Sequence, residues 1–347
     1  MGIPKQANLE LFSKYPAGSK NLITDVQGVT VGQTTKQSEN INTGVTVVRP
    51  HGGNMFQDKV MAGCSIINGF GKSIGLVQLQ ELGTIETPIV LTNTMSIGTA
   101  FTALNKYMLS ENPDIGVSTS TVNCVVTECN DGRLNDIRGM HITEQDVMDA
   151  LSSTEDEFEE GAVGAGTGMC CLGLKGGIGS ASRVLEIDGQ EYTVGALVNS
   201  NFGGAGNLVI GGKHYNTGKY PDGIPEKDEG SIIIVIATDI PMSERQLNRI
   251  AHRAMISLGK TGSVSGNGSG DIAIAFTTAN RLPQYSEQEL LPIKMFFDDK
   301  IDKVFTATIE AVEEAIISSL WHAKTTRGVR NSIYVGLQDF LKAEDSL

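Results

Sequence analysis

One stretch of the 347-residue chain joins a glycine, a hydroxyl and a strongly apolar run: Gly230-Ser231-Ile232-Ile233-Ile234-Val235-Ile236-Ala237-Thr238-Asp239. Those residue types in that order suit an N-terminal nucleophile. A serine at the head of a strand attacks the carbonyl carbon of the residue before it. The acyl group moves from nitrogen to oxygen, and water cuts the ester to leave a new α-amine. Glycine on the acyl side has no Cβ to obstruct attack and tolerates unusual φ/ψ. The freed amine, with a pKa of ~7.7–8.0, can then act as the serine's own base near neutral pH. The same residues also describe a serine that merely opens a strand, and the local pattern by itself favours that plainer reading.

Other chemistries fare worse. Gly71-Lys72-Ser73 and Gly259-Lys260-Thr261 imitate the end of a phosphate loop, but Ile66 and Ala254 stand where its first glycine belongs. Gly164-Ala165-Gly166-Thr167-Gly168 imitates a dinucleotide loop, yet Met169 replaces the third glycine and no clear strand precedes it. Five histidines (51, 141, 214, 252, 322) lack HExxH or paired ligand spacing, so a structural or catalytic zinc is not expected. His252, inside a helical pattern, reads as a surface or packing residue. Cysteines 64, 124, 129, 170 and 171 show no CxxC spacing, which predicts reduced thiols in a cytoplasm; the adjacent Cys170-Cys171 pair reads as core. Lys+Arg 27 against Asp+Glu 40 gives a formal charge of −13, a poor surface for nucleic acid. No apolar run approaches the ~20 residues of a membrane span, and the opening Met1–Gln6 carries neither a signal h-region nor a myristoylation pattern.

The elements that must carry the serine are legible in outline. Strands are predicted at 44–48, 60–67, 74–79, 121–127, 192–198, 231–238 and 271–277, and helices at 96–109, 143–152, 243–258 and 308–324. In the third helix Ser243 and Gln246 form a capping box, Leu247, Ile250, Ala251, Ala254 and Leu258 make one stripe, and Gly259 is the expected C-cap. Such mixing implies a layered α/β or α+β domain. Forty-one glycines predict many tight turns and close backbone approaches. The polar, Gly- and Pro-rich stretch 203–230 is the one candidate break, read as a surface loop or a linker.

The serine segment, DEGSIIIVIATDIP at 228–241, resembles the self-cleavage junction of the DmpA family, which comprises L-aminopeptidase/D-esterase-amidases and β-peptidyl aminopeptidases. Further segments are similar to that family in the same order: ITDVQGVTVG at 23–32, PIVLTNT at 88–94, VVTECNDGRLND at 125–136, GAGTG at 164–168 and KGGIGSASR at 175–183. The matches run from about Ile23 to Thr278.

The resemblance implies a four-layer αββα sandwich, α+β in class, similar to N-terminal-nucleophile hydrolases and to ornithine acetyltransferase. It implies one catalytic domain over 1–347, cut between Gly230 and Ser231 into an α chain 1–230 and a β chain 231–347, assembled as a homo-tetramer of such pairs. Ser231 would be the nucleophile. Ser269 would orient it and Asp271 would support proton transfer, and residues two apart on a strand do share a face. Asn201 would donate to the oxyanion, a contact worth ~10²–10³ in rate, with Asn199 as the rival. Glu128, Asn130, Arg133 and Asn135 are the candidate substrate contacts; relatives can carry an aromatic residue where this chain has Asn130 and Arg133, and Glu128, Asp131 and Asn135 also suit turn formation. The glycines of 164–183 either allow close packing of layers or bring backbone N–H groups to the pocket. The implied activity is hydrolysis of the N-terminal residue from short peptides, amides or esters without a cofactor. The alternatives are a related acyltransferase, which would use threonine where this chain has Ser231, and an uncleaved, catalytically silent scaffold.

Overall fold

The 232–237 run sends alternate side chains to opposite sides, and the architecture follows from the need to cover both. The computed structural model describes residues 11–219 and 228–344. Strands β1 (Thr30–Gln37), β2 (Asn42–Arg49) and β3 (Asp58–Gly69) come first, then helix α1 (Leu76–Leu82). Strands β4 (Thr84–Ile85) and β5 (Ile89–Asn93) lead into α2 (Ile97–Glu111), and β6 (Val125–Cys129) into α3 (Glu144–Ser152). A brief pair, β7 (Cys170–Cys171) and β8 (Leu174–Lys175), precedes the long β9 (Gly177–Ile187) and β10 (Gln190–Asn201). The hairpin β11 (Leu208–Ile210) and β12 (Lys213–Tyr215) is followed by β13 (Glu229–Thr238), α4 (Glu244–Thr261), β14 (Gly268–Pro283) and α5 (Asp302–His322). A last hairpin, β15 (Thr326–Arg327) with β16 (Ile333–Tyr334), and α6 (Leu337–Glu344) close the order.

Two sheets result, one ordered β1-β2-β5-β6 and one ordered β4-β3-β14-β13-β10-β9. In the larger sheet β13 runs parallel to β14 and antiparallel to β10. Ile232, Ile234 and Ile236 pack with Leu247, Ile250 and Ala254 of α4 and with Val312 and Ile316 of α5. Their neighbours Ile233, Val235 and Ala237 meet Val31, Ile89, Leu91 and Val125 of the smaller sheet. The far face of that sheet, Val45, Val47, Val90 and Val126, is covered by Ala100 and Leu104 of α2 and by Val147 and Leu151 of α3. The layers are therefore α4/α5, six strands, four strands, α2/α3, the expected four-layer αββα sandwich of α+β class. Each buried Ile or Val contributes ~1.5–3 kcal/mol of burial free energy, so a strand buried on both sides is a strong organiser. Arg183, at the end of the KGGIGSASR segment, is buried in the α5 interface: Nη2 lies 2.6 Å from Glu314 Oε2 and Nε 3.4 Å from Glu310 Oε2.

Two local expectations are corrected. The 74–79 segment is not a strand: Ile74 makes one bridge to Val126, and α1 follows. Leu76 and Leu79, three apart, are buried while Val77 faces solvent, and Gly75 and Gly83 cap the helix in left-handed conformations. Helix α4 runs past Gly259 to Thr261, and Gly262 (φ 107) is its C-cap. A Cβ on Gly262 would sit 1.8 Å from the Asn207 carbonyl oxygen, so the helix stops where it meets the loop that leaves β10. That loop belongs to the candidate break at 203–230, which links two adjacent strands of one sheet and carries the β11–β12 hairpin; its 220–227 part lies outside the described residues. The opening Met1–Gln6, read as lacking a signal h-region and a myristoylation pattern, also lies outside them. No helix among the described residues is long and apolar enough to cross a membrane.

A tight seam joins β9 and α5. A Cβ on Gly179 would lie 2.0 Å from the Ala315 carbonyl oxygen and 2.5 Å from the Ser319 nitrogen. Gly179→Ala is expected to cost ~1–3 kcal/mol through forced separation of these elements, seen as a lower midpoint in urea unfolding. A midpoint equal to that of the unsubstituted protein contradicts this packing.

Candidate active site

Strand β13 begins under an unusual restraint. Gly230 has φ 127, where L side chains are strained, and a Cβ there would lie 1.9 Å from the Asn201 carbonyl oxygen. Only glycine fits. Ser231, 4 % exposed, follows at once, paired with Asn201 of β10 on one side and Gly270 of β14 on the other. A Cβ on Gly270 would approach Ser231 Oγ to 3.0 Å, so that glycine leaves room for the hydroxyl. The Ser231 hydroxyl donates to the Gly230 carbonyl oxygen at 2.5 Å. It therefore rests on the peptide group that it would attack.

Ser231 opens on a cavity of about 560 Å³ between the ends of the two sheets, lined also by Asn201, Glu128, Asn130, Arg133, Gly230 and Phe70. Glu128, near the end of β6, is held on both oxygens: the Lys72 N–H donates to Oε1 at 2.9 Å, and the Thr94 hydroxyl donates to Oε2. Asn130 accepts from the Gly132 N–H through Oδ1 (2.9 Å), which tightens the turn after the strand. Asn201 is held at both ends of its amide. Oδ1 accepts from the Cys170 N–H at 2.9 Å, and Nδ2 donates to the Asn130 carbonyl oxygen at 3.0 Å. This fixes the amide so that its NH₂ faces the cavity side.

Not every candidate residue joins the cavity. Asn135 lies outside it as a structural residue: Oδ1 accepts from the Asn42 N–H (3.2 Å) and Nδ2 donates to Asp131 Oδ1 (3.0 Å). Asp131, beside it, is buried, and burial pushes its carboxyl up to about 6. Asn199 is buried below Asn201, and neither atom of its amide has a hydrogen-bond partner. Ser269 and Asp271 do share a face, with the Ser269 hydroxyl donating to Asp271 Oδ1 at 2.6 Å, and both are fully buried. In the intact chain Ser269 makes no hydrogen bond to Ser231. Register explains this: Ser269 stands opposite Gly230, and Asp271 opposite Ile232, whose side chain points to the helix layer rather than to the cavity. Burial, and after it the charge of Asp228, raises the Asp271 carboxyl, while hydrogen bonds from Ser269 and Ser265 oppose the shift. A register shift between β14 and β3 at Asp271/Ile272 bends the sheet beside these residues.

Lys175 is a residue that sequence reasoning passed over. It is fully buried, and its ammonium donates to three carbonyl oxygens, of Gly166 (3.0 Å), Met169 (2.8 Å) and Gly176 (2.7 Å). Burial lowers its pKa to about 8. The Met169 carbonyl and the Cys170 N–H are two ends of one peptide group, so the lysine that clamps the first end fixes the donor that holds Asn201. Nothing in the spacing of KGGIGSASR distinguishes such a lysine from a surface one. The glycines around it serve both roles considered for this segment. A Cβ on Gly166 would lie 2.4 Å from the Ile178 nitrogen, while the backbone they allow brings the Cys170 N–H to the site. Among the described residues no group of three or more His, Cys, Asp or Glu is arranged to hold a metal ion.

Comparisons with known proteins follow the same lines. Residues 21–334 match peptidase family S58. The chain is 38 % identical over 354 residues to the β-peptidyl aminopeptidase BapA of Sphingosinicella microcystinivorans, covering 94 % of this chain and 87 % of that one. Among solved structures it resembles a protein of Pyrococcus horikoshii OT3 (TM-score 0.91, 49 % identity, 97 % of both chains covered). It also resembles the L-aminopeptidase D-Ala-esterase/amidase of Ochrobactrum anthropi, described as a prototype for the serine aminopeptidases and a variant of the Ntn hydrolase fold (TM-score 0.90, 36 % identity, 98 % of both chains covered).

Burial also disposes of the thiols as rival nucleophiles. All five cysteines are free and buried, and burial pushes Cys64 up to about 11 and Cys124 and Cys170 up to about 12, with Cys129 and Cys171 raised as well. Iodoacetamide at pH 8 is expected to leave the folded protein unlabelled and to modify all five thiols once it is unfolded, because the thiolate is the reactive form. Rapid labelling of Cys170 or Cys171 in the folded protein contradicts this assignment.

Proposed function

The chain belongs to peptidase family S58 and is a serine aminopeptidase of that family, and from that premise we propose that Ser231 both cuts the chain and carries turnover. Cleavage between Gly230 and Ser231 gives an α chain of 1–230 and a β chain of 231–347. The observation that carries this reading is the Ser231 hydroxyl seated on the Gly230 carbonyl at the wall of a cavity that also holds Asn201 and Glu128. Oγ attacks the Gly230 carbonyl carbon, the C–N bond breaks, and the acyl group becomes an ester on Oγ while the α-amine of Ser231 is freed. Water then hydrolyses the ester and leaves Gly230 as a carboxylate.

In the cut enzyme the new amine stands where the Gly230–Ser231 peptide was, opposite Ser269. Because the Ser269 hydroxyl donates to Asp271, its oxygen is left to accept from that amine. The neutral amine takes the Oγ proton as Ser231 attacks the substrate carbonyl. The Asn201 amide donates to the oxyanion that forms. The amine's proton then passes to the leaving nitrogen or oxygen, and water releases the acyl group. Glu128, a carboxylate with both oxygens fixed inside the cavity, is suited to the free ammonium of an N-terminal residue. The relatives act on β-peptidyl, L-amino acid and D-alanyl substrates according to their names, and all of these present a primary amine next to the scissile acyl group. Short peptides, amino-acid amides and esters are the substrates proposed here. A homo-tetramer of αβ pairs is the proposed assembly, supported by exposed Leu290, Met295 and Phe297 on the segment after β14.

Alanine p-nitroanilide should be hydrolysed while its N-acetyl derivative is cut at least ~100-fold more slowly. Glu128→Gln should raise KM for the free-amine substrate by ~10–100-fold, as expected for loss of a charged hydrogen bond in a partly desolvated site. Equal rates on the free and acetylated substrates contradict recognition of the amine at Glu128.

A further inference from the structure

The cavity holds an unmatched cation. Arg133 lines it five residues beyond Glu128, on the turn that Asn130 closes. The backbone on either side is fixed: the Ser332 hydroxyl donates to the Arg133 carbonyl oxygen at 2.8 Å, Arg330 Nη2 donates to the Gly132 carbonyl oxygen at 2.8 Å, and Leu134 is buried. The guanidinium faces the Tyr334 hydroxyl and the Cys170 region. Among the described residues it forms no ion pair, in a chain whose Asp and Glu outnumber Lys and Arg by 40 to 27. The cavity also carries the carboxylates of Glu128 and Glu229, yet Arg133 pairs with neither, and in a site within the ~300–1,000 Å³ of small-ligand pockets such an arginine is a recognition group in want of its ligand. A planar guanidinium suits a carboxylate, which it can grip through two parallel hydrogen bonds.

Its placement relative to the serine gives the ligand its position. The Asn130 carbonyl holds Asn201 Nδ2, and Asn201 pairs with Ser231, so Asn130 marks the reacting centre. Glu128 is fixed from Thr94 and Lys72, while the Arg133 guanidinium faces Tyr334 and Cys170. With its amine on Glu128 and its carbonyl at Ser231, a substrate has its leaving group as the part still able to reach Arg133 in the same cavity. The cavity's other cation, Lys72, stacks over the Phe70 ring at 4.5 Å on the Glu128 side and is not placed for this contact. We propose that Arg133 binds a carboxylate on the residue that follows the scissile bond, so that the preferred substrates are very short peptides with an anionic leaving residue, free dipeptides first among them. This rests on the aminopeptidase reading above and adds its leaving-group specificity.

The test measures kcat/KM on Ala-Gly and Ala-glycinamide, with the β-alanyl pair in parallel, for the self-cleaved wild type, Arg133→Met and Arg133→Lys. The acid-to-amide ratio is the readout, so a general loss in any variant cancels. The ratio should be ~10 or more in wild type, as expected for a charged hydrogen bond, near one in Arg133→Met and intermediate in Arg133→Lys. Lys72→Met should keep the wild-type ratio. Ala-Glu-amide against Ala-Gln-amide separates the two sources of the charge: a preference in this pair places the carboxylate on the side chain, and a preference only in the first pair places it at the C-terminus. A wild-type ratio near one in every pair, or one that Arg133→Met does not move, overturns the assignment while leaving the aminopeptidase reading intact. No hydrolysis of any of these substrates by cleaved enzyme overturns that reading, and this assignment with it.

Discussion

The absence of a side chain at Gly230 is the constraint from which the site follows. The Asn201 carbonyl oxygen occupies the space that a Cβ would need, 1.9 Å from its ideal position. That approach lets β10 end and β13 begin side by side, which puts Asn201 and Ser231 in register across the head of the sheet. It also holds residue 230 at a φ of 127, so that the carbonyl before the serine lies within reach of the serine's own hydroxyl. A second glycine, at 270, keeps the hydroxyl from being crowded on the β14 side. With both strands buried on both faces, the sandwich is rigid enough to maintain this geometry.

Around this centre, several charged groups are fixed in place. Glu128 has both oxygens occupied, Asp271 is tied to Ser269, and Lys175 is spent on three carbonyl oxygens. The buried lysine is costly to desolvate, yet its donors are matched in number by acceptors, and the loop they gather presents the Cys170 N–H to Asn201. One buried cation thereby orients an amide that it does not touch. Arg133 breaks the pattern: among the described residues it forms no ion pair.

What could be read from the residues was what depends on local pattern. Alternating isoleucines at 232, 234 and 236 against 233, 235 and 237 did become the central strand, and the capping box at Ser243 and Gln246 did start α4. The family resemblance carried the layer order and drew attention to Ser231, Asn201 and Glu128, which line one cavity. The misreadings have physical causes. Leu76 and Leu79 fit a short strand or a helix turn equally well until Gly75 and Gly83 are seen in left-handed conformations. Gly259 had the right type for a cap, but the contact that stops the helix is with Asn207, more than fifty residues away, and falls at Gly262. Asn135 sits in a motif with Glu128 yet faces β2, because a turn at Asp131 rotates it away. Ser269 and Asp271 were placed together correctly, while their separation from the Ser231 hydroxyl depends on strand register, which a single strand's sequence does not display.

Denaturing mass spectrometry of the purified protein beside a Ser231→Ala variant tests the central claim most directly. The account predicts two fragments, 1–230 and 231–347, for the unsubstituted protein and one intact chain for the variant. A single uncleaved chain in both contradicts it, since no free α-amine would then stand at Ser231; cleavage at the same bond in the variant would remove Ser231 as the nucleophile.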